Sequence, residues 1–169
     1  MRTRSWPPTT RDGASLAHAY VDVLRWPLLI DGAPVTPEQA EELMERTPSA
    51  VVQTRSEGFD TVSVPRALGS DVLLNVDRGR VTFPSLRVGN DVVTLLVEAG
   101  TGACLADIAE ARIGTGALVP LPLPPTPGLR WDTPPWDIYA DSPTALKLPH
   151  AQDLRKSLAT ALRTHRGHS

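Results

Sequence analysis

The stretch "IGTGALVPLPLPPTPG" (residues 113–128) joins a glycine turn to a proline-rich run. Gly114, Thr115 and Gly116 form the turn, and residues 120–127 contain five prolines. Because proline lacks a backbone N–H, a strand that contains it belongs at the edge of a sheet. We therefore predict an extended edge segment over 117–123. The turn has neither the lysine nor the additional glycine of the common phosphate-binding loops, so it is a weak phosphate motif.

The rest of the chain shows both helical and extended patterns. Apolar residues at helical spacing predict helices at 15–24, 36–46, 65–78, 103–112 and 151–164. Short apolar runs predict strands at 26–30, 50–54, 60–64, 80–83 and 91–99. The second helix has the clearest start, because Thr36 and Gln39 fit a capping box around Pro37. The proline-rich residues 124–150 predict an ordered loop that packs through its tryptophans.

The order of these elements indicates the fold class. Because helices and strands mix without strict alternation, the sequence predicts an α+β fold with one mixed β-sheet and flanking helices. We expect a single domain over 12–164, between a flexible N-terminal segment at 1–11 and a flexible tail at 165–169.

The composition is that of a globular protein. Of the 169 residues, 41% are hydrophobic and 21% are charged, which is enough to bury a core without disulfides. No apolar run approaches the roughly 18 residues of a membrane-spanning helix, and the N-terminus lacks the apolar region of a secretory signal. We therefore expect a cytoplasmic protein. Cys104 is the only cysteine, which excludes an intramolecular disulfide and zinc sites built from several cysteines.

The charge pattern allows only a local basic surface. The net charge of −2 argues against a strongly basic nucleic-acid-binding protein. Arg78, Arg80 and Arg87 cluster around the predicted strand at 80–83, and Arg112 lies further along the chain. If these arginines share a face, they are candidates for contacts with nucleic-acid phosphates. The alternative is a solvated edge on which acids balance them, namely Asp71, Asp77 and Asp91.

Asp60 and Asp91 are the candidate metal-binding acids, because each stands at the start of a predicted strand beside a loop. Two or three such carboxylates must converge to hold a divalent cation. Otherwise they are solvated turn residues. The four histidines have no zinc spacing, and Ser63 lacks the glycine elbow that presents a serine nucleophile. These residue types predict no metal site and no cofactor.

Trp131 and Trp136 lie among prolines in the segment 120–137. Aromatic side chains are typical anchors of protein interfaces, so this Pro/Trp segment is a candidate contact surface for a protein partner. The alternative is that the two rings pin a long loop to the core of the domain.

Three segments resemble one protein family in the order in which they occur: "LAHAYVDVLRWPLLI" (16–30), "PSAVVQTRSEGFDTVSVP" (48–65) and "IGTGALVPLPLPPTPGLRW" (113–131). The family comprises small actinobacterial proteins similar to the N-terminal domain of bifunctional DNA primase/polymerases, within the archaeo-eukaryotic primase superfamily. The resemblance runs from Ser15 to Leu162. It implies a primase–polymerase-like fold and a connection with DNA replication.

Active members of that family carry two acids on one strand, a histidine after a glycine turn on a neighbouring strand, and an acid in another glycine turn. The positions that match these acids here are Ser63 and Pro65 on "FDTVSVP" and Thr115 in the turn. The segment that matches the histidine strand, "VGNDVVTLLV" (88–97), has no histidine. Neutral side chains cannot supply the negative charge that holds metal ions for phosphoryl transfer. The resemblance therefore implies a degenerate, non-catalytic member.

We accordingly expect a binding or regulatory module that binds nucleic acid or nucleotide weakly through its arginines. One alternative is an active metal-dependent DNA primase/polymerase whose acids are Asp60 and Asp91 with Asp107 or Asp132. A second alternative is a protein-interaction scaffold that uses the Pro/Trp segment.

Overall fold

The computed structural model describes residues 6–9, 11–77, 81–124, 126 and 128–167, except for the side chain of Asp77. Its helices are α1 (Gly13–His18), which a π-helical turn continues over Ala19–Val23, α2 (Pro37–Arg46), α3 (Arg66–Asp77) and α4 (Gln152–Arg166). Its strands are β1 (Leu28–Ile30), β2 (Ala33–Val35), β3 (Gln53–Arg55), β4 (Phe59–Pro65), β5 (Ser85–Val88), β6 (Val92–Glu98), β7 (Arg112–Gly114), β8 (Leu118–Pro120) and β9 (Leu129–Thr133). The predicted α+β class is confirmed.

The described strands form two sheets, in the orders β2-β1-β3-β8 and β7-β4-β6-β5-β9. All the pairings between them are antiparallel, so the sheet structure differs from the single mixed sheet that we expected. Short connections account for two of these pairings, since two-residue and three-residue turns can join only antiparallel neighbours. Asp31 and Gly32, both with positive φ, join β1 to β2, and residues 89–91 join β5 to β6.

Strand β4 organises the five-stranded sheet. It pairs with β6 over seven residues, from Phe59 opposite Glu98 to Pro65 opposite Val92, and with β7 on its other side. Successive side chains of a strand point to opposite faces. Val62 therefore belongs to the core beneath α3 and α4, whereas Phe59 belongs to the core between the two sheets.

Helices α3 and α4 cover one face of this sheet. Val72 of α3 and both Leu154 and Leu158 of α4 are fully buried against it. A Cβ atom at Gly69 would lie only 2.8 Å from the Cβ of Val93. Close packing on the sheet thus explains a glycine inside a helix, where it otherwise costs stability.

The opposite face of the five-stranded sheet packs on an aromatic core, which contains Tyr20, Trp26, Phe59, Trp131 and Trp136. The ring centroids of Trp26 and Phe59 are 4.7 Å apart. The Tyr20 hydroxyl donates to the carbonyl oxygen of Pro122 at 2.6 Å and accepts from Trp131 Nε1 at 3.0 Å. One buried tyrosine therefore connects Pro122 of the proline-rich run to Trp131, which follows that run.

The edge position predicted after the glycine turn is confirmed. Strand β8 lies at the end of the four-stranded sheet and pairs with β3 alone, with Pro120 as its last residue. Residues 124–150, which we expected to be an ordered loop, additionally contribute β9 to the edge of the five-stranded sheet.

Two predicted elements are wrong. The strand expected at 80–83 is not formed by residues 81–83, and residue 80 lies outside the described residues; the strand in this region begins at Ser85. The helix expected at 103–112 is reduced to a 3₁₀ turn over Gly102–Leu105 followed by turns. Its helix-like apolar spacing reflects the burial of Leu105 in the core beneath α3 and α4 and the packing of partly buried Ile108 against that core. Tertiary packing here overrides local propensity.

Both ends of the described chain pack against the domain. The ring of Trp6 lies 6.4 Å from that of Trp136, and Pro8 is buried. At the other end α4 continues to Arg166, and His165 Nε2 lies 2.6 Å from Asp71 Oδ2 on α3. No helix in the described ranges has the length and apolar character of a membrane span.

Candidate functional site

Ser63, Pro65 and Thr115, the positions matched to catalytic acids, border the same pair of strands. Ser63 and Pro65 stand two residues apart on β4, so they share one face of the sheet. Thr115 directly follows Gly114, which ends β7 and lies opposite Thr61 of β4. Thr61 is four residues of extended strand, about 13 Å, from Pro65, so Thr115 and Pro65 lie towards opposite ends of β4 with Ser63 between them. The structure does not bring the three positions together at one point.

Three hydroxyl side chains lie on the Ser63 face of β4 and β6, and we call Thr61, Ser63 and Thr94 the hydroxyl strip. Ser63 lies opposite Thr94 in the β4–β6 register, and its Oγ is 2.8 Å from Thr94 Oγ1. Thr61 and Thr94 are each 6% exposed, while Ser63 is half-buried and neighbouring Pro65 is exposed. The strip therefore reaches the surface at its Ser63 end and carries polar groups without charge.

Strand β7 passes very close to the hydroxyl strip. A Cβ atom at Gly114 would lie 2.3 Å from Thr61 Oγ1, which is far inside van der Waals contact. Gly114 is therefore required by this contact. Gly116 is required for a different reason, since its φ of +63° lies in the left-handed region that favours glycine.

Ser56 fixes the glycine turn to the loop before β4. Its backbone N–H donates to the carbonyl oxygen of Ala117 at 2.9 Å, and its Oγ accepts from the N–H of Ala117 at 2.9 Å. Gly116 N–H donates to the carbonyl oxygen of Ser56 at 3.1 Å. Arg55 adds a longer bond, from Nη1 to the carbonyl oxygen of Gly116 at 3.4 Å. These bonds determine where Thr115 is held.

Arg112 supplies positive charge beside the hydroxyl strip. It lies on β7 directly opposite Ser63, and its side chain is exposed. Within the described part of the chain it takes part in no ion pair or hydrogen bond of its side chain. Arg112 precedes Gly114 by two residues, and Arg55 bonds to Gly116, so two arginines lie beside the glycine turn.

Asp60 lies on the face opposite the hydroxyl strip, because it alternates with Thr61 along β4. It is 1% exposed, and its Oδ2 accepts a hydrogen bond from the backbone N–H of Gly102 at 2.9 Å. A Cβ atom at Gly102 would come within 3.0 Å of the same oxygen. Asp60 therefore holds the 3₁₀ turn against the sheet.

Asp91 is far from Asp60. It lies exposed in the β5–β6 turn, where its carbonyl oxygen accepts from the N–H of Arg66 at 2.8 Å. Asp60 is opposite Val97, so six residues of extended strand, about 20 Å, separate the two positions. Carboxylates that share a metal ion lie within about 4–6 Å of each other. The structure does not bring these two acids together.

Asp107 and Asp132 are engaged elsewhere. Arg155 forms an ion pair with Asp107, and its hydrogen bonds hold the pKa of that carboxyl below its ordinary value. Asp132 Oδ2 accepts from Arg87 Nε at 3.2 Å. Within the described residues, no three His, Cys, Asp or Glu side chains are grouped so as to hold a metal ion.

The arginines predicted to contact nucleic acid do not share one face. Arg78 and Arg80 lie outside the described residues. Arg87 pairs with Val93, which belongs to the core beneath α3 and α4, whereas Arg112 pairs with Ser63 on the other face. Cross-strand partners lie on the same side of a sheet. Of the two described members of the predicted set, Arg87 and Arg112, it is Arg112 that adjoins the hydroxyl strip.

The two tryptophans of the Pro/Trp segment are buried. Trp131 is 9% exposed and Trp136 is 3% exposed, and both line an apolar cavity of about 320 Å³ together with Leu123 and Pro134. Their rings pack in the aromatic core and are not displayed on the surface. This matches the alternative in which the two rings pin a long loop to the core of the domain.

Sequence reasoning missed several residues that shape this site. Thr61 and Thr94 could have been noticed, because each interrupts an otherwise apolar strand on the same face as Ser63. Ser56 gave no local signal, since its partners Gly116 and Ala117 lie about sixty residues away.

Comparison of the chain with protein-family models, with curated proteins and with solved structures found no match. The likeness to the primase–polymerase family therefore rests on the sequence segments quoted above and stays a prediction.

Proposed function

We propose that this chain is a non-catalytic, primase–polymerase-like domain that binds nucleic acid at the hydroxyl strip and the adjoining Arg112. One observation carries the proposal. At the place where the resemblance calls for metal-binding acids, Ser63 Oγ and Thr94 Oγ1 are hydrogen-bonded at 2.8 Å, with an exposed guanidinium group on the next strand.

The residue types at the positions matched to acids favour binding over phosphoryl transfer. Metal-assisted transfer needs several carboxylates that converge on the cations. Ser63, Pro65 and Thr115 carry no charge, and Asp60 and Asp91 stand about 20 Å apart. Catalysis by the acids of the alternative hypothesis would require them to move together through the sheet.

The same groups are suited to phosphate oxygens. Arginine and the hydroxyls of serine and threonine are among the side chains that contact nucleic-acid backbones. In the Ser63–Thr94 pair one hydroxyl donates, and the accepting hydroxyl keeps its own hydrogen for another acceptor. A phosphate oxygen near Ser63 could take that hydrogen while its charge is balanced by Arg112.

The charge of the chain limits the strength of this binding. With a net charge of −2, attraction to nucleic acid must come from the local pair Arg55 and Arg112, and the acidic Glu57 follows Arg55 by two residues. We therefore expect weak binding that falls steeply with salt, because each phosphate contact contributes about −0.7 to the logarithmic salt slope for single strands.

Fluorescence anisotropy of labelled single-stranded and duplex oligonucleotides, without divalent metal, tests the proposal. Arg112→Gln should weaken binding and reduce the magnitude of the salt slope by about 0.7. Arg46→Gln is the matched control, because Arg46 is a 75% exposed arginine on α2 whose partner is Glu42 on the same helix. It should bind as the wild type does.

Two results would overturn the proposal. One is the absence of saturable binding by the wild type to either oligonucleotide at low salt. The other is an equal loss of affinity in Arg112→Gln and Arg46→Gln, which would show that binding depends on total charge and not on the surface beside Ser63.

A further inference from the structure

Three arginines converge at the β5–β6 turn, away from the hydroxyl strip. Arg66, Arg87 and Arg130 line a cavity of about 320 Å³ together with Gly89, Asn90, Gly128 and Leu129, and we call it the arginine pocket. We propose that this pocket binds the phosphate group of a small phosphorylated compound. Arg87 and Arg130 lie on the face opposite Ser63, so occupancy of the pocket does not depend on the proposed function.

The register of the sheet assembles the arginine pocket from distant parts of the chain. Arg87 of β5 lies opposite Val93 on one side and opposite Arg130 of β9 on the other. Arg66 begins α3, which packs on Val93 through Gly69. Arginines from one helix and two strands thus line one cavity through main-chain geometry.

The charges in the pocket are incompletely balanced. Like charges directly opposite each other on adjacent strands destabilise a sheet, and Arg87 and Arg130 are such a pair. They share one carboxylate, since Asp132 Oδ2 lies 3.1 Å from Arg87 Nη2 and its Oδ1 lies 3.6 Å from Arg130 Nε. Arg66 has no ion pair within the described residues. Even with exposed Asp91 counted, one positive charge remains, and a bound anion would offset it.

The backbone of the pocket leaves room for an anion. Gly89 N–H donates to the carbonyl oxygen of Gly128 at 2.6 Å, and both glycines have positive φ, +61° and +72°. A Cβ atom at Gly89 would meet no atom within 4 Å, so open space lies above the turn. The first residue of α3 is at the positive end of the helix dipole, which favours an anion further.

Phosphate is the anion that best fits these groups. Guanidinium is planar and presents paired N–H donors that match the oxygens of a phosphate group. A cavity of about 320 Å³ is at the small end of the range for ligand sites, which favours a compact phosphorylated compound. Asn90 at the rim adds an amide that can both donate and accept.

Titration of the ¹⁵N-labelled protein with sodium pyrophosphate, followed by NMR, tests this inference. We expect saturable shifts at the amides of Gly89, Asn90 and Gly128, and calorimetry should give a dissociation constant. Arg66→Gln and Arg130→Gln should each weaken binding about tenfold or more, because each loses a charged hydrogen-bond donor. The control Arg46→Gln should bind as the wild type does.

Parallel titrations with inorganic phosphate, a nucleoside triphosphate and the matching nucleoside identify the source of the phosphate group. Tighter binding of the triphosphate than of pyrophosphate would assign the site to nucleotides. Equal binding would assign it to the phosphate group alone, and both results support the inference. It is overturned if the three amides do not shift at millimolar pyrophosphate or triphosphate, or if folded Arg66→Gln and Arg130→Gln bind as tightly as the wild type.

Discussion

Ser63 and Thr94 face each other across β4 and β6 with their hydroxyl oxygens 2.8 Å apart. Two carboxylates at such a distance would repel each other and would need a shared proton or a cation between them. Two hydroxyls instead form a neutral hydrogen bond. The Ser63–Thr94 contact is therefore stable without a metal ion between the two side chains.

The energetic coupling of this pair can be measured. Ser63→Ala and Thr94→Val should each destabilise the protein by about 1 kcal/mol, because each leaves the other hydroxyl without its partner. The double variant should lose less than the sum of the two. Urea denaturation of the wild type and the three variants gives the four free energies of unfolding for the cycle. Fully additive losses would show that the 2.8 Å contact contributes nothing.

Gly114 should be intolerant of even one added carbon. A Cβ atom there would lie 2.3 Å from Thr61 Oγ1, so Gly114→Ala should lower the free energy of unfolding by about 1–3 kcal/mol. Removing that oxygen with Thr61→Ala should recover part of the loss in the double variant. Gly58→Ala is the control, because a Cβ atom at Gly58 meets nothing within 4 Å. A Gly114→Ala protein as stable as Gly58→Ala would refute the close approach of β7.

Tyr20 should stabilise the Pro/Trp segment through its hydroxyl alone. Burial raises the pKa of Tyr20 above its ordinary value, so the phenol stays neutral and can donate to Pro122 throughout the working pH range. Tyr20→Phe leaves the carbonyl oxygen of Pro122 and Trp131 Nε1 without this partner, at a cost of about 1–3 kcal/mol in the free energy of unfolding.

Tyr139→Phe is the matched control for that experiment, because Tyr139 is 90% exposed. Thermal or urea unfolding of both variants makes the comparison. Equal stability of Tyr20→Phe and Tyr139→Phe would mean that the buried hydroxyl does not hold the segment.

The ion pairs of Asp107 and Glu110 should make stability depend on acid pH. Hydrogen bonds from Arg155 and Arg166 lower the pKa of the two carboxyls in the folded protein. A carboxyl whose pKa is lower in the folded than in the unfolded protein adds stability at pH values above its ordinary pKa. That stability is lost as the pH falls through the lowered pKa. The loss should therefore begin near pH 4.5 and continue below it, about where free carboxyls titrate.

Urea denaturation at a series of pH values measures this effect. The variant Asp107→Asn/Glu110→Gln should show a shallower fall in stability below about pH 4.5 than the wild type. Because Asp107 is exposed and Glu110 is partly exposed, the difference should be small and should shrink in high salt. If the free energies of unfolding of the two proteins fall in parallel with pH, these ion pairs do not contribute to the loss of stability in acid.

Local signals in the sequence predicted much of the fold. Thr36 and Gln39 form the expected capping box, with Gln39 N–H donating to Thr36 Oγ1 at 3.1 Å and Thr36 N–H to Gln39 Oε1 at 2.9 Å. Strand β4 and helix α4 lie close to where apolar spacing placed them. Each of these features is encoded within a few consecutive residues.

Features that depend on distant contacts could not be predicted. The 3₁₀ turn at 102–105 replaces the expected helix in a segment whose first N–H is bound by Asp60, some forty residues earlier. The arginine pocket joins Arg66, Arg87 and Arg130, which only the register of β5, β6 and β9 brings together. The spacing of residues along the chain does not show which distant residues come together in the fold.

The decisive measurement is template-directed nucleotide incorporation by the purified protein, with a labelled primer, all four deoxynucleoside triphosphates, and magnesium or manganese. With Ser63, Pro65 and Thr115 in place of acids, we predict no extension above the protein-free reaction with either metal. Robust extension that a chelator abolishes would contradict the proposed non-catalytic binding role.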